Sequence, residues 1–123
     1  MKIVEARKII GAYLKSIHPR VYYEEADEKA PFPYLVFDFP NSYDDGVMEN
    51  FRLEIDGWDA PADGDTTAIE TLMHAVDGGL HDRLFRIPGM ALIVYRENRM
   101  SLKDDDKKIR RRKYIYQVRT YGG

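Results

Sequence analysis

A chain of 123 residues with 44% apolar and 33% charged residues has the length of one domain, expected to run over residues 1–123, and enough apolar content for one core. Its net charge of −2 excludes a general pull towards nucleic acid or an anionic membrane, and the absence of cysteine excludes disulfides, thiolate metal sites and cysteine nucleophiles. No stretch approaches the ~18 apolar residues of a bilayer span, and MKIVEARKII lacks the apolar run of a signal peptide, so no membrane partner is expected and the cytoplasm is the expected compartment.

Ile3, Ala6, Ile9, Ile10, Tyr13, Leu14 and Ile17 recur at three- and four-residue spacing and predict an amphipathic helix with Lys2, Arg7, Lys8 and Lys15 outside. His18-Pro19 ends it, because the residue before a proline is pushed out of the helical region. Arg20 to Tyr23 reads as a short strand and Glu24 to Pro33 as a polar loop. Tyr34 to Phe39 is nearly continuous in β-formers, as in a strand covered on both faces, and Pro40 to Gly46 has turn chemistry throughout. Met48, Asn50, Arg52, Glu54 and Asp56 alternate with Phe51, Leu53 and Ile55, which predicts a strand with one wet and one dry face. Trp58 closes that strand, and Asp59 to Gly64 is a loop.

Asp65 or Thr67 is placed to cap a second helix, and Thr67 to Glu70 fits the capping-box pattern. Ile69, Leu72, Met73 and Val76 form its apolar stripe, Gly78-Gly79 stops it, and Leu80 to Phe85 is expected to add a short extra turn. After a break at Pro88-Gly89, Ala91 to Tyr95 and Tyr114 to Tyr121 read as the last strands, joined by a long charged hairpin loop. The expected fold is α+β: an antiparallel sheet of four to five strands with two main helices packed against one face.

Residues able to carry chemistry do not assemble into a site. His74 and His81 stand seven apart, too far along a helix for one metal, and His18 precedes a proline. Asp38, Glu54 and Asp56 lie on adjacent strands, the arrangement in which carboxylates hold magnesium for phosphodiester cleavage, but the lysine expected after Glu54-Ile55-Asp56 is missing. Ser16, Ser42 and Ser101 lack a nucleophile elbow, and Gly78-Gly79 follows a helix where a phosphate loop would precede one. The expectation is a protein with no catalytic, metal or cofactor site, and not an enzyme.

Two features point to contacts with other molecules. Residues 103–113 carry seven basic side chains (Lys103, Lys107, Lys108, Arg110, Arg111, Arg112, Lys113) against Asp104, Asp105 and Asp106, a local charge of 7 − 3 = +4. Such a cluster suits contacts with a partner or a second copy, plain solvation, or nucleic-acid phosphates. Nine tyrosines, among them Tyr43, Tyr95, Tyr114, Tyr116 and Tyr121, are more than one small core readily hides, and amphipathic rings favour interfaces.

The order of several short phrases resembles a known family. Phe32-Pro33-Tyr34-Leu35-Val36 opens a strand after a polar loop, and Leu53-Glu54-Ile55-Asp56-Gly57-Trp58-Asp59 ends the next on a tryptophan and an aspartate. A single helix, Thr66 to Val76, follows, then the strand to Arg96, the acidic Asp104-Asp105-Asp106, and the closing Tyr114-Ile115-Tyr116-Gln117-Val118-Arg119. In this order, over nearly the whole chain, they resemble the tail-terminator, or tail-to-head joining, proteins of long-tailed phages and prophages. The resemblance implies a structural virion protein, a hexameric ring that caps the tail tube and meets the head connector. It would be made in the bacterial cytoplasm and kept in the tail or neck, with DNA at most passing through the ring. A head-to-tail ring needs two unlike complementary patches. The candidates are Tyr43, Asp44 and Asp45 on one side, and Asp104, Asp105, Asp106, Lys107, Lys108, Arg110, Arg111 and Arg112 on the other. The alternative is a small monomeric nucleic-acid-binding module using the basic 107–113 cluster.

Overall fold

The computed structural model describes residues 2–44 and 49–122. The elements run α1 (Lys2–Ile17), β1 (Val21–Tyr23), β2 (Tyr34–Asp44), β3 (Glu49–Asp59), α2 (Thr67–Leu80), β4 (Arg83–Ile87), β5 (Met90–Leu102) and β6 (Arg110–Gly122). The strands form one six-stranded sheet in the order β1-β2-β3-β6-β5-β4.

Both helices cover the same face of the sheet. The odd residues Phe51, Leu53 and Ile55 of β3 lie beside Tyr116 and Val118 of β6, and against them pack Ile10 and Leu14 of α1 and Ile69, Met73, Val76 and Leu80 of α2. Each such side chain contributes about 1.5–3 kcal/mol when fully buried, which makes this cluster the main source of stability. Gly57 continues the dry face of β3 where α2 crosses it. A Cβ there would meet Met73 Sδ at 2.7 Å and Ile69 Cδ1 at 2.8 Å, so the glycine lets the helix approach. Tyr13 joins the two helices by donating its hydroxyl to the Val76 carbonyl at 2.6 Å.

The architecture departs from the sequence reading in five places. The sheet has six strands where four to five were expected, because Arg83–Ile87 is strand and the expected extra turn over Leu80–Phe85 ends at Leu80. Asp82 turns the chain at φ 62, and β4 then pairs with β5 through a tight turn at Gly89, φ 83. The segment alternates Leu84 and Arg86 outside with Phe85 and Ile87 inside, a pattern too short to declare itself without its partner strand. The sheet is also not wholly antiparallel: β1 pairs parallel to β2, with the loop 24–33 carrying the chain back.

The expected turn from Pro40 is instead a continuation of β2. A register shift between Asp38 and Asn41 places Pro40, which has no N–H to donate, in the irregularity, and pairing resumes to Asp44↔Glu49. Asp45 and Gly46 lie outside the described residues. The capping box does not form. Thr66 occupies the cap without a side-chain hydrogen bond, Asp65 accepts from the Thr67 amide at 2.9 Å and hydroxyl at 2.6 Å, and Glu70 is drawn away to Arg112. Finally, the last hairpin is longer than expected, which moves Arg110–Lys113 from loop into strand.

Candidate functional site

The face of the sheet opposite the helices carries a ladder of charged residues. The register puts Glu54 of β3 beside Asp38 of β2 and Ile115 of β6, and Asp56 beside Val36 and Lys113. Lys113 Nζ lies 2.7 Å from Glu54 Oε1 and 3.6 Å from Asp56 Oδ2, Arg52 Nε lies 2.9 Å from Glu54 Oε2, and Arg111 Nη2 lies 3.4 Å from Asp56 Oδ1. The two carboxylates are thus met by three cations. Of the three carboxylates suggested for magnesium, Glu54 and Asp56 are therefore engaged by side-chain cations, while Asp38 stands beside Glu54 in the register. Among the described residues no group of three or more metal-ligating side chains is assembled.

This face is also drier than its alternating sequence suggested, with the side chains of Asp56 and Glu54 only 13% and 18% exposed. Burial pushes the Asp56 carboxyl above its ordinary value despite the opposing pull of Arg111 and Lys113. Burial pushes Glu54 the same way, but hydrogen bonds and charge from Lys113 and Arg52 outweigh it, so Glu54 lies below its ordinary value.

Beside the charge ladder stands an aromatic row. Phe32 stacks on Tyr34 at 5.3 Å, Tyr34 on Trp58 at 6.1 Å, and the Arg111 guanidinium covers Trp58 at 4.4 Å. Tyr34 and Trp58 are directly opposite across β2 and β3. The loop after β1 passes over them: Glu24, at φ 68, turns the chain, and residues 24–28 roof a cavity of about 350 Å³ floored by Tyr34, Val36, Asp56, Trp58 and Arg111. Burial, followed by the charge of Asp104, raises the Tyr34 phenol above its ordinary value, so the hairpin tip lies within electrostatic reach of this floor.

The structure divides the basic cluster expected to act as one loop. Arg111 and Lys113 point to the open face and pair with Asp56 and Glu54, while Arg112 points to the helix side and pairs with Glu70 of α2. These three pair within the chain and lie in β6, where a charged hairpin loop was expected. The tip proper is 103–109. There Asp104 accepts from the Asp106 amide and Asp106 from the Lys108 amide, both at 2.9 Å, and the Arg110 guanidinium donates to the Lys107 carbonyl. Asp105, Lys107 and Lys108 are exposed.

The tyrosines divide as well. Tyr114 and Tyr116 are buried, whereas Tyr43, Tyr95 and Tyr121 are exposed. Tyr43 sits on β2 opposite Asn50 and not in a turn; the side chain of Asp44, and all of Asp45, fall outside what is described. With Leu84, also exposed, Tyr95 and Tyr121 give the open face of β4, β5 and β6 an apolar character unlike the charged ladder over β3.

Two groups of polar residues went unread in the sequence. Asp77, buried at the end of α2, accepts from the Tyr116 hydroxyl at 2.8 Å and pairs with Arg96 at 2.5 Å, so α2 is tied to β5 and β6; burial and then Asp77 raise the Tyr116 phenol far above its ordinary value. Nothing local marks Asp77, since its partners lie 19 and 39 residues away. The second group is the acidic roof Glu24, Glu25, Asp27 and Glu28, whose density of charge, opposite in sign to the basic cluster, was a signal available in the sequence. Of the histidines, His18 bonds the Pro33 carbonyl at 2.8 Å, His81 accepts from the Arg96 amide at 3.0 Å, and His74 is exposed.

No protein-family model matches the sequence, and no curated protein does. The fold has a relative among solved structures. A chain in the virion of a native gene transfer agent particle superposes with a TM-score of 0.61 at 14% identity, over 89% of this chain and 84% of that one. At that identity the likeness speaks for a shared fold.

Proposed function

We infer that this chain is a structural protein of a phage-type virion, built into the tail as a ring of copies that caps the tail tube and joins it to the head. The observation that carries the reading is the fold shared with a gene transfer agent virion chain along nearly the whole length of both. The order of phrases from Phe32-Pro33-Tyr34 to Tyr114-Ile115-Tyr116, which resembles tail-terminator proteins, adds the finer assignment. The chemistry agrees with a part that binds and does not catalyse: Glu54 and Asp56 of the open face are paired with Arg52, Arg111 and Lys113. Exposed Tyr43, Tyr95, Tyr121 and Leu84 provide surface for neighbours, the tail-tube and head-connector proteins among them. Assembly would take place in the bacterial cytoplasm, and the product would reside in the virion neck.

The nucleic-acid alternative is weakened by the pairing of Arg111, Arg112 and Lys113, which removes much of the charge it would use. Absolute mass by light scattering over a concentration series, with negative-stain images of the same sample, tests the ring. Annular particles near six times 14.4 kDa are expected, and a single-chain mass at every concentration would overturn a ring that closes by itself.

A further inference from the structure

The cavity of about 350 Å³ between the 24–28 loop and the open face of the sheet lies at the lower end of small-molecule sites, about 300–1,000 Å³. Its lining is one-sided in charge. Glu24, Glu25, Asp27 and Glu28 stand exposed around it and form no ion pair with any described residue. Lys29, next in the chain, does not line it. Arg111 does, but it lies over Trp58 at 4.4 Å and is paired with Asp56. The residue of the hairpin tip whose charge acts on Tyr34 is again an acid, Asp104.

At the floor, Asp56 is short of positive charge. Its side chain is 13% exposed, and its two cationic neighbours stand off: Arg111 Nη2 is 3.4 Å from Oδ1 and Lys113 Nζ is 3.6 Å from Oδ2. Both distances exceed the roughly 2.7–2.9 Å of a charge-assisted hydrogen bond, and Oδ1, itself buried, accepts none. Lys113 is held closer to Glu54, at 2.7 Å. A further cation in the cavity would therefore act on a carboxylate whose desolvation its neighbours only partly offset.

The rest of the lining decides the type of cation. Among the described residues no three metal-ligating side chains converge, so the carboxylates are spread too widely to close around a metal ion. Between the charges the cavity offers Ala26, Val36, Tyr34 and Trp58. The ring faces are taken: Phe32 stacks on Tyr34, and Trp58 stands between Tyr34 and Arg111 across β2, β3 and β6. Ring edges and methyl groups remain, which suit a run of methylenes and give a flat aromatic ligand nothing to stack on.

We propose that this cavity binds a linear di- or polyamine. One ammonium lies towards Asp56 and another among Glu25, Asp27 and Glu28, with the methylenes along Val36 and the edges of Tyr34 and Trp58. The site is complete within one copy of the chain and holds whether or not copies join into a ring. Because its contacts are between charges near the surface, salt weakens them.

Trp58 is the single tryptophan of the chain, so its fluorescence reports on the cavity. Titrating the full-length protein with spermidine, putrescine and butylamine is expected to change that emission saturably, the affinity rising with the number of ammonium groups. Glu25→Gln/Asp27→Asn/Glu28→Gln, all at exposed positions, is expected to weaken spermidine about tenfold with circular dichroism unchanged. Asp56→Asn, which keeps the shape of the side chain, is expected to weaken it at least as much. Asp63→Asn/Glu97→Gln removes two exposed acids outside the cavity and is expected to bind as the wild type does. The site is overturned if spermidine leaves the emission unchanged, if butylamine binds as tightly as spermidine, or if all these variants bind alike. Displacement of spermidine by an equal concentration of magnesium would overturn it too.

Discussion

The two faces of this sheet are built from the same strands and often from adjacent residues, yet they use opposite physics. On β3, Leu53 and Ile55 are fully buried under α2 and α1, while Glu54 and Asp56, which alternate with them, are buried only in part, among Arg52, Arg111 and Lys113. The helical face gains stability by removing apolar area from water, a term that tolerates many arrangements. The open face recovers through paired charges part of what their desolvation costs, which adds little net stability but penalises every misplacement. One face holds the fold, and the other fixes which side chains stand beside which.

The sharpest way to break the helical face is a cavity beneath α2. Leu53→Ala is expected to cost about 2–5 kcal/mol in urea melts, whereas a cost under about 1 kcal/mol would mean the face collapses around the loss. Tyr116→Phe comes next. It removes only the hydroxyl bound to the Asp77 carboxylate, and a loss of about 1.5–3 kcal/mol is expected by the same melts.

The open face should reveal itself through pH. Glu54 lies below its ordinary value of 4.5, so its contribution is present above that value and is lost as pH falls through its lowered one. Asp56 lies above its ordinary 3.8, so its charged form carries a penalty at neutral pH that is relieved as pH falls from the raised value to the ordinary one. The two partly cancel. Between about pH 7 and about pH 3, Glu54→Gln should therefore lose less stability than the wild type and Asp56→Asn more, measured as unfolding free energy at each pH. Parallel profiles for all three proteins would show that the two carboxyls do not titrate with opposite sign. The smallest effect belongs to the tip: Lys107→Glu/Lys108→Glu should change the stability of the folded chain by no more than about 0.5 kcal/mol in the same melts. A larger loss would make those lysines part of the fold.

The sequence was most legible where a single periodicity governed. The stripe from Ile3 to Ile17 and the alternation from Phe51 to Asp56 each encode an element and its dry face, and both helices lie on one face as expected. It was least legible where an element depends on a distant strand. β4 exists through its pairing with β5, and β2 runs past Pro40 because an irregularity removes the proline from the ladder. At the candidate site the charged hairpin could be read as a feature, but its division could not. Arg110 to Lys113 read as one basic block, and only strand alternation and the proximity of Glu70, Asp56 and Glu54 send Arg112 one way and its neighbours the other.

By itself, then, the sequence determined the chain's class: helices on one side of a mostly antiparallel sheet, no cysteine chemistry, and a charged hairpin near the end. Those properties follow from composition and from periods of two or three to four residues, which neighbouring residues carry among themselves. Tertiary structure alone decided which charges are spent and which remain, uniting Asp77 with Tyr116 and the 24–28 roof with Trp58. The reason is that an ion pair or a desolvated cavity depends on distance in space. The residues that set that distance lie on different elements, and their sequence separation carries no trace of it.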